Sequence, residues 1–120
     1  VMNTTQGWLS THVLDTSQGR AAAGMAFTLH DEATGTCLVR GVTNADGRTD
    51  SPLLAGEAFV CGRYVLVFEV AAYFRAQGLT LPEPPFLDRV SLAFGIAEAH
   101  AHYHVPLLVS PWSYATYRGS

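Results

Sequence analysis

The residues best suited to chemistry are concentrated in the last nineteen positions of the chain, His102 to Ser120, which read HYHVPLLVSPWSYATYRGS. Two imidazoles open this segment, and an imidazole can accept or give a proton near neutral pH. A guanidinium, that of Arg118, stands two residues before the last position. Chain ends are usually frayed, but this one runs from an alternating stretch through Ser-Pro into an aromatic stretch. We therefore predict that the Tyr-Arg-Gly-Ser ending is held in place and used in function.

The types of basic residue exclude several kinds of chemistry. The basic residues are seven arginines without a lysine, which excludes Schiff-base formation, a P-loop lysine and an amine nucleophile. His100, His102 and His104 alternate along one stretch, a pattern that would also suit zinc. Apart from Glu98, no Cys, Asp or Glu accompanies them at ligand spacing. We therefore predict no metal site.

Short strands must position these residues. Apolar periodicity predicts strands over 9–15, 25–31, 36–43, 63–70, 87–95, 101–110 and 112–117, and a short helix over 71–77 that Gly78 ends. Residues 16–24 are a predicted loop, and 51–62 are a loop or a short irregular edge strand. Strands that recur about every ten residues are typical of an antiparallel sandwich.

Alternation also assigns the faces of two strands. In 101–110 the core face is formed by Tyr103, Val105, Leu107 and Val109, and the opposite face by His102, His104, Pro106, Leu108 and Ser110. In the first strand, His12 shares a face with Ser10 and Leu14. Because proline has no ladder donor, Pro106 is predicted at a sheet edge or a bulge. The face that holds two histidines beside Leu108 predicts a cleft or a subunit interface.

Asn44-Ala45-Asp46-Gly47 is a strong turn signal, and Arg48 follows the predicted turn directly. A pocket shared by residues that are distant in sequence is geometrically possible, although spacing alone does not establish it. Its members would be His12, Arg48, His104, Ser110 and Tyr117.

Composition limits the class of protein, its partners and its location. The 120 residues are 48% hydrophobic and 14% charged, with a net charge of −3, so we predict one globular domain (9–120) after a flexible segment (1–8), and no nucleic-acid or membrane partner. No stretch is long enough to span a bilayer, and no signal-peptide pattern is visible, so we expect a cytoplasmic protein. Cys37 and Cys61 lack a paired spacing and are predicted to be buried, reduced thiols.

Four segments carry a resemblance to a known family: LSTHVLDTSQGRAAAG, TNADGR, GRYVLVFEVAAYF and HYHVPLLVSPWSYATYRGS. They resemble the 5-hydroxyisourate hydrolases, transthyretin-like enzymes of urate breakdown, in the right order and over nearly the whole chain. The resemblance implies an all-β, transthyretin-like (prealbumin-like) antiparallel sandwich of two four-stranded sheets with one short helix. It also implies a homotetramer, a dimer of dimers, with active sites where the two dimers meet.

The same resemblance implies cofactor-independent hydrolysis of a cyclic amide, which converts 5-hydroxyisourate to 2-oxo-4-hydroxy-4-carboxy-5-ureidoimidazoline. The implied catalytic residues are His12, Arg48 and His104. His12, paired with Arg48, is the preferred general base and His104 its partner, and the reverse assignment stays open. The implied substrate-binding residues are Tyr117, Arg118, Gly119 and Ser120. Ser110 is added to them as a predicted substrate-binding residue because it shares the strand face of His104.

Two other functions are compatible with the sequence. A transthyretin-like carrier would hold a small apolar ligand in the central channel. Such a channel needs small, neutral walls, whereas Tyr117 and two histidines would make this channel narrow and polar. A histidine-based metal site in an interaction domain is the third alternative.

Overall fold

The computed structural model describes residues 6–119, which form a sandwich of two β-sheets with one short helix. Over this range there are nine strands: β1 (Trp8–Asp15), β2 (Arg20–Ala21), β3 (Ala26–Asp31), β4 (Cys37–Val42), β5 (Leu54–Ala55), β6 (Gly62–Phe68), β7 (Val90–Ile96), β8 (His102–Val109) and β9 (Tyr114–Thr116). The helix α1 spans Val70–Ala76, and a single 3₁₀ turn spans Gly56–Ala58. The predicted two-sheet sandwich with one helix is confirmed.

The first sheet has the order β2-β1-β8-β9, with β5 also pairing with β1, and the second sheet has the order β4-β3-β6-β7. The pairs are antiparallel except β1 and β8, which run parallel in continuous register from Trp8↔His102 to Asp15↔Val109. The sandwich is thus antiparallel as predicted apart from this one pair. The two short strands β2 and β5 bring the first sheet to five strands.

The core lies between the sheets and follows the predicted alternation. Every second residue of β1, from Leu9 to Asp15, is buried. In β8 the buried set includes Tyr103, Val105, Leu107 and Val109, as predicted. The outward-facing residues of both strands are only half-buried, except Pro106. The faces that carry the histidines are therefore directed away from the core.

Helix α1 is docked onto the end of β1 through Asp15, which is 0% exposed. The Tyr73 hydroxyl donates to Asp15 Oδ2 at 2.9 Å. The Ser17 hydroxyl (2.6 Å to Oδ1) and the Gln18 amide (2.6 Å to Oδ2) also donate to this carboxylate. The helix begins one residue earlier than predicted, and Gly78 (φ +94°) follows its last turn, where a left-handed conformation commonly ends helices.

Several local predictions are wrong, each for a physical reason. Pro106 lies inside the sheet, not at an edge or in a bulge: β8 is paired with β1 on one side, and the ladder to β9 is interrupted at Pro106, which has no N–H. Cys37 and Cys61 are free thiols but both are exposed, because Cys37 lies on the outermost strand of its sheet and Cys61 precedes β6. The segment 112–117 contributes only three residues to β9, since Ser110–Ser113 forms a turn held by the Ser110 hydroxyl.

At the amino end, β1 begins at Trp8, one residue before the predicted strand. The structure describes only residues 6–8 of the predicted flexible segment, and positions 1–5 lie outside the described residues. Within residues 6–119, no helix is both long and apolar enough to cross a membrane.

Candidate active site

The parallel pairing of β1 with β8 creates one polar surface from the two ends of the sequence. The register places Ser10 opposite His104 and Trp8 opposite His102. Since alternate residues of a strand share a face, the outer side of this strand pair carries Trp8, Ser10 and His12 beside His102 and His104. The prediction that His12 and His104 lie off the core face is confirmed by the geometry.

The turn between β4 and β5 brings Arg48 to this surface. Asn44 Oδ1 accepts hydrogen bonds from the main-chain N–H groups of Asp46 (2.9 Å) and Arg48 (3.1 Å). Gly47 has a φ of +74°, which glycine adopts without steric cost, and its carbonyl accepts the Val13 N–H at 2.8 Å. A Cβ at position 47 would clash with the Val13 carbonyl oxygen. The turn is therefore fixed against β1 beside His12.

The same turn determines the tautomer of His12. His12 Nε2 lies 2.9 Å from the main-chain oxygen of Asp46. A carbonyl oxygen can only accept a hydrogen bond, so Nε2 carries the hydrogen. In the neutral ring the lone pair is then on Nδ1, which can accept a proton.

Burial and nearby cations keep the histidines neutral. Burial and then the Arg48 guanidinium lower the pKa of His12, although its bond to the Asp46 carbonyl and the Asp46 charge act in the opposite direction. For His104, burial, Arg48, His102 and His12 all lower the pKa. Arg48 thus acts on both imidazoles. With the pKa values of both rings below the ordinary 6.5, both are neutral at pH 7 and available as bases.

Arg48 also shares a pocket of about 210 Å³ with Trp8, Ser10 and residues 49–52. The pocket connects the guanidinium with the side chains that lie next to His104 and His102. A planar, polar ring of small size would find the forked donors of Arg48 in this pocket, with His104 and His102 behind Ser10. This arrangement suits attack of water on a carbonyl group, with the guanidinium near the developing charge.

Ser10 and His102 belong to the site, although the sequence reasoning did not select them. The Ser10 hydroxyl lies 2.7 Å from His102 Nε2 and 2.8 Å from His104 Nδ1. The Trp8 ring stacks on His102 with centroids 4.1 Å apart. Alternation had already placed Ser10 on the face of His12. Its contacts with β8 depend on the parallel register, for which the sequence carried no local signal.

The end of the described chain returns to β8. The Gly119 N–H donates to the His104 carbonyl at 2.7 Å, and the His104 N–H donates to the Gly119 carbonyl at 3.3 Å. A Cβ on Gly119 would stand 3.0 Å from the His104 ring. Tyr117 is 61% exposed. Gly119 is therefore held against His104, as predicted for an ordered ending, whereas Tyr117 lines a groove with Tyr103 and Arg118. Ser120 lies outside the described residues.

Two residues predicted to bind substrate are not brought to the pocket within one protomer. The Arg118 guanidinium lies 4.0 Å over the ring of Tyr103, on the core-facing side of β8, and donates to the His102 carbonyl at 3.3 Å. Ser110 follows β8, about 20 Å along the strand from His104, and its hydroxyl accepts from the N–H groups of Trp112 and Ser113. Arg118 anchors the chain end, and Ser110 holds a turn.

Within residues 6–119, no three His, Cys, Asp or Glu side chains converge in a group that could hold a metal ion. The predicted absence of a metal or an organic cofactor stays a prediction.

Together, the two-sheet sandwich and the outer strand pair with its histidines and arginine define a class, the transthyretin-like β-sandwiches that carry a histidine–arginine site. The chain belongs to the HIUase/Transthyretin family, whose pattern matches residues 9–119.

Individual relatives agree with this assignment. A protein of Mesorhizobium japonicum named 5-hydroxyisourate hydrolase is 56% identical over 116 residues, which cover 95% of this chain and 93% of that relative. The structure of Klebsiella pneumoniae 5-hydroxyisourate hydrolase is 37% identical with a TM-score of 0.81, and the match covers 95% of this chain and 99% of that one. The crystal structure of (S)-allantoin synthase is 43% identical with a TM-score of 0.92, and the match covers 100% of this chain but 46% of that chain. This chain thus spans about half the length of the synthase.

Proposed function

We propose that this protein hydrolyses 5-hydroxyisourate to 2-oxo-4-hydroxy-4-carboxy-5-ureidoimidazoline, a step of urate (purine) breakdown. The observation that carries the proposal is the convergence of His12, His104 and Arg48, in which one guanidinium lowers the pKa of two imidazoles. Relatives that share about half of their residues with this chain bear the name of this hydrolase. The matched regions extend over 95% of the chain.

In the proposed reaction the oxygen of water bonds to a ring carbonyl carbon, and the adjacent ring C–N bond breaks. His12 Nδ1 takes a proton from the attacking water, because its Nε2 hydrogen is committed to the Asp46 carbonyl. Such general-base assistance contributes roughly 10²–10⁴ in rate. His104 supplies a proton to the leaving ring nitrogen. The products are a carboxylic acid, which ionises to a carboxylate, and an N–H group. His12 and the carboxylic acid each release one proton to solvent and His104 regains one from solvent, so one proton is released in total.

Arg48 has two roles in this scheme. Its positive charge disfavours protonation of the neighbouring imidazoles, which keeps them available as bases. As negative charge develops on the carbonyl oxygen, the same guanidinium can donate to it, and removal of such a donor typically costs ~10²–10³ in kcat. Tyr117 forms a wall of the site and Gly119 allows the chain end to lie against His104. These roles are part of the proposal.

The proposed assembly is a homotetramer built as a dimer of dimers. Two features support it. First, β7 and β9 each pair with only one strand in residues 6–119, and between these two edges lies a mainly apolar groove of about 420 Å³. Second, large apolar side chains are exposed at and beside this edge, including Trp112, Tyr114 and Tyr117. A second copy would cover the edges, and a second dimer would close the surface that bears the histidines.

The function is tested by adding freshly prepared 5-hydroxyisourate and following its absorbance and the formation of product. We expect the protein to remove 5-hydroxyisourate much faster than buffer alone does. A chelator should not slow this reaction. A rate equal to the buffer blank, with folded protein, would reject the hydrolase. An equal rate combined with tight binding of an apolar ligand would favour the carrier.

The assembly is tested separately by sedimentation equilibrium. We expect a mass near four times the 12.9 kDa of one chain. A monomer at micromolar concentration would contradict the assembly.

A further inference from the structure

Ser10 is a residue to which neither the sequence motifs nor the proposed reaction gave a role. Its hydroxyl joins two histidines through one nitrogen of each ring. The ring centroids of His102 and His104 are 5.9 Å apart, whereas Ser10 Oγ lies within hydrogen-bond distance of a nitrogen on each ring. The contact with His104 uses Nδ1, so Nε2 is the other nitrogen of that ring.

The hydrogen count of a serine constrains both rings. A hydroxyl has one hydrogen to donate and lone pairs to accept. When both rings are neutral, the bridge is complete only if one imidazole donates to Ser10 and the other accepts from it. If His104 carries its hydrogen on Nε2, then its Nδ1 accepts from Ser10, and His102 must donate from Nε2. If His104 carries its hydrogen on Nδ1, the roles of the two rings are exchanged.

The surroundings hold this bridge in place. Trp8 stacks on His102 at an interplanar angle of 16°, which fixes the plane of that ring. Ser10 and His104 lie on directly paired strand positions. The charged or titratable neighbours of His104 are Arg48, His12 and His102. His102 has the His104 ring beside it, and the charge of Arg118 acts on it from the other side of the strand. The charge of Arg48 disfavours a protonated His104. His104 can nevertheless give up one hydrogen and stay neutral if Ser10 supplies another hydrogen to its Nδ1.

We propose that Ser10 is a positioning residue of the hydrolytic site, which couples the hydrogens of His102 and His104 and so determines whether His104 Nε2 is a donor or an acceptor. This inference rests on the proposed function. When His104 gives its Nε2 hydrogen to the leaving ring nitrogen, Ser10 passes its own hydrogen to Nδ1 and receives one from His102 Nε2. His102, which is half-buried, takes one from solvent at Nδ1. Both rings end neutral, and one proton has moved from solvent to the leaving nitrogen.

The test is a double-mutant cycle with a matched control. Ser10→Ala removes the hydroxyl, His102→Phe keeps an aromatic ring against Trp8 but removes both nitrogens, and Ser10→Thr keeps a hydroxyl at a strand position that accepts β-branched residues. We expect Ser10→Ala and His102→Phe each to lower kcat about 10- to 100-fold, the usual range when one partner of a hydrogen bond is removed and the other is left unsatisfied. KM should change less than about threefold. The double variant should be no slower than the slower single variant, and Ser10→Thr should keep the parental kcat.

A second measurement needs no substrate. Nitrogen–proton correlation spectra of the histidine side chains report the tautomer of His104 in the free protein. We expect Ser10→Ala to change the ratio of the two tautomers and Ser10→Thr to leave it unchanged. An unchanged ratio in Ser10→Ala would overturn the coupling.

The kinetic outcomes are equally decisive. Parental kcat in Ser10→Ala or in His102→Phe, or losses that multiply in the double variant, would overturn the proposal. If Ser10→Ala cannot be purified as a folded protein, His102→Phe alone decides. A parental protein without turnover would reject the proposed hydrolase, and the tautomer measurement would still decide whether Ser10 couples the two rings.

Discussion

The Nε2 atom of His12 lies 2.9 Å from the main-chain oxygen of Asp46, two residues before Arg48. This turn therefore orients the His12 imidazole through the Asp46 carbonyl group and, two residues later, places the Arg48 guanidinium beside the same ring. The proposed base, His12, and the cation that lowers its pKa are positioned by the same turn. Changes in this turn should affect both groups together.

His12→Gln tests the base directly. A glutamine amide can place a donor near the position of Nε2 and keep the bond to the Asp46 carbonyl, but it cannot accept a proton from water. We expect kcat to fall at least ~100-fold, with an unchanged circular dichroism spectrum and oligomeric state. The matched control is His30→Gln, on a strand of the other sheet, which should keep parental turnover. Parental kcat in His12→Gln would transfer the role of base to His104.

Arg48 should determine where activity is lost in acid. The reaction needs neutral imidazoles, and the pKa values of His12 and His104 both lie below 6.5, so kcat/KM should begin to fall only below about pH 6.5. Arg48→Met removes a cation that lowers both pKa values. The pKa values then rise, and the fall should begin at higher pH.

Arg48→Lys is the control for this effect. It keeps the charge and loses the forked donors, so the position of the acid limb should stay near that of the parent while kcat decreases. The pH–rate profiles of the three proteins give the answer. An acid limb that does not move in Arg48→Met would contradict the electrostatic role.

Gly47→Ala should disturb the site and the fold together. A methyl group at this position would clash with the Val13 carbonyl oxygen and would require a left-handed backbone at φ +74°. We expect a loss of about 1–3 kcal/mol in the free energy of unfolding and a marked loss of kcat, measured by urea titration and by turnover. Gly19→Ala provides the comparison, since its φ is also positive but no atom lies near its missing Cβ. It should cost less stability and leave kcat unchanged.

Asp15 should make stability depend on pH. Burial raises the pKa of Asp15, but hydrogen bonds from Ser17, Tyr73 and Gln18 outweigh it and bring the pKa below its ordinary value. A depressed folded-state pKa contributes stability that is present above the unfolded value, about 3.9, and is lost as the pH falls through the folded value.

Tyr73→Phe removes one of these donors, so it should cost about 1–3 kcal/mol at pH 7 and reduce the loss of stability on acidification. Urea unfolding at neutral and acid pH measures both effects. On the tyrosine side, burial and Asp15 raise the pKa of Tyr73 to about 12, so its hydroxyl stays a donor throughout. Equal acid sensitivity in Tyr73→Phe and the parent would show that this bond does not stabilise the carboxylate.

The predictions from sequence succeeded where they depended on local periodicity. Alternation in β1 and β8 gave the buried faces and placed His12 and His104 outside the core, and the Asn-Ala-Asp-Gly signal placed Arg48 after a turn. The geometry of the bridge between Ser10 and the two histidines could not be predicted, because the register of β1 against β8 is set by tertiary packing. Arg118 was predicted to bind substrate, and within one protomer its guanidinium lies over the Tyr103 ring. This position depends on the path of the chain after β9 ends at Thr116, which periodicity does not predict.

The pairing of β1 with β8 also has a consequence for biosynthesis. Ser10 and His104 are separated by 94 positions along the chain, and they meet only after β8 has left the ribosome. Contacts between such distant segments form late, because a long loop must close first. A polypeptide on which β8 has not yet been synthesised can therefore contain His12 and Arg48 but not His104, so the proposed site is complete only after translation has passed β8.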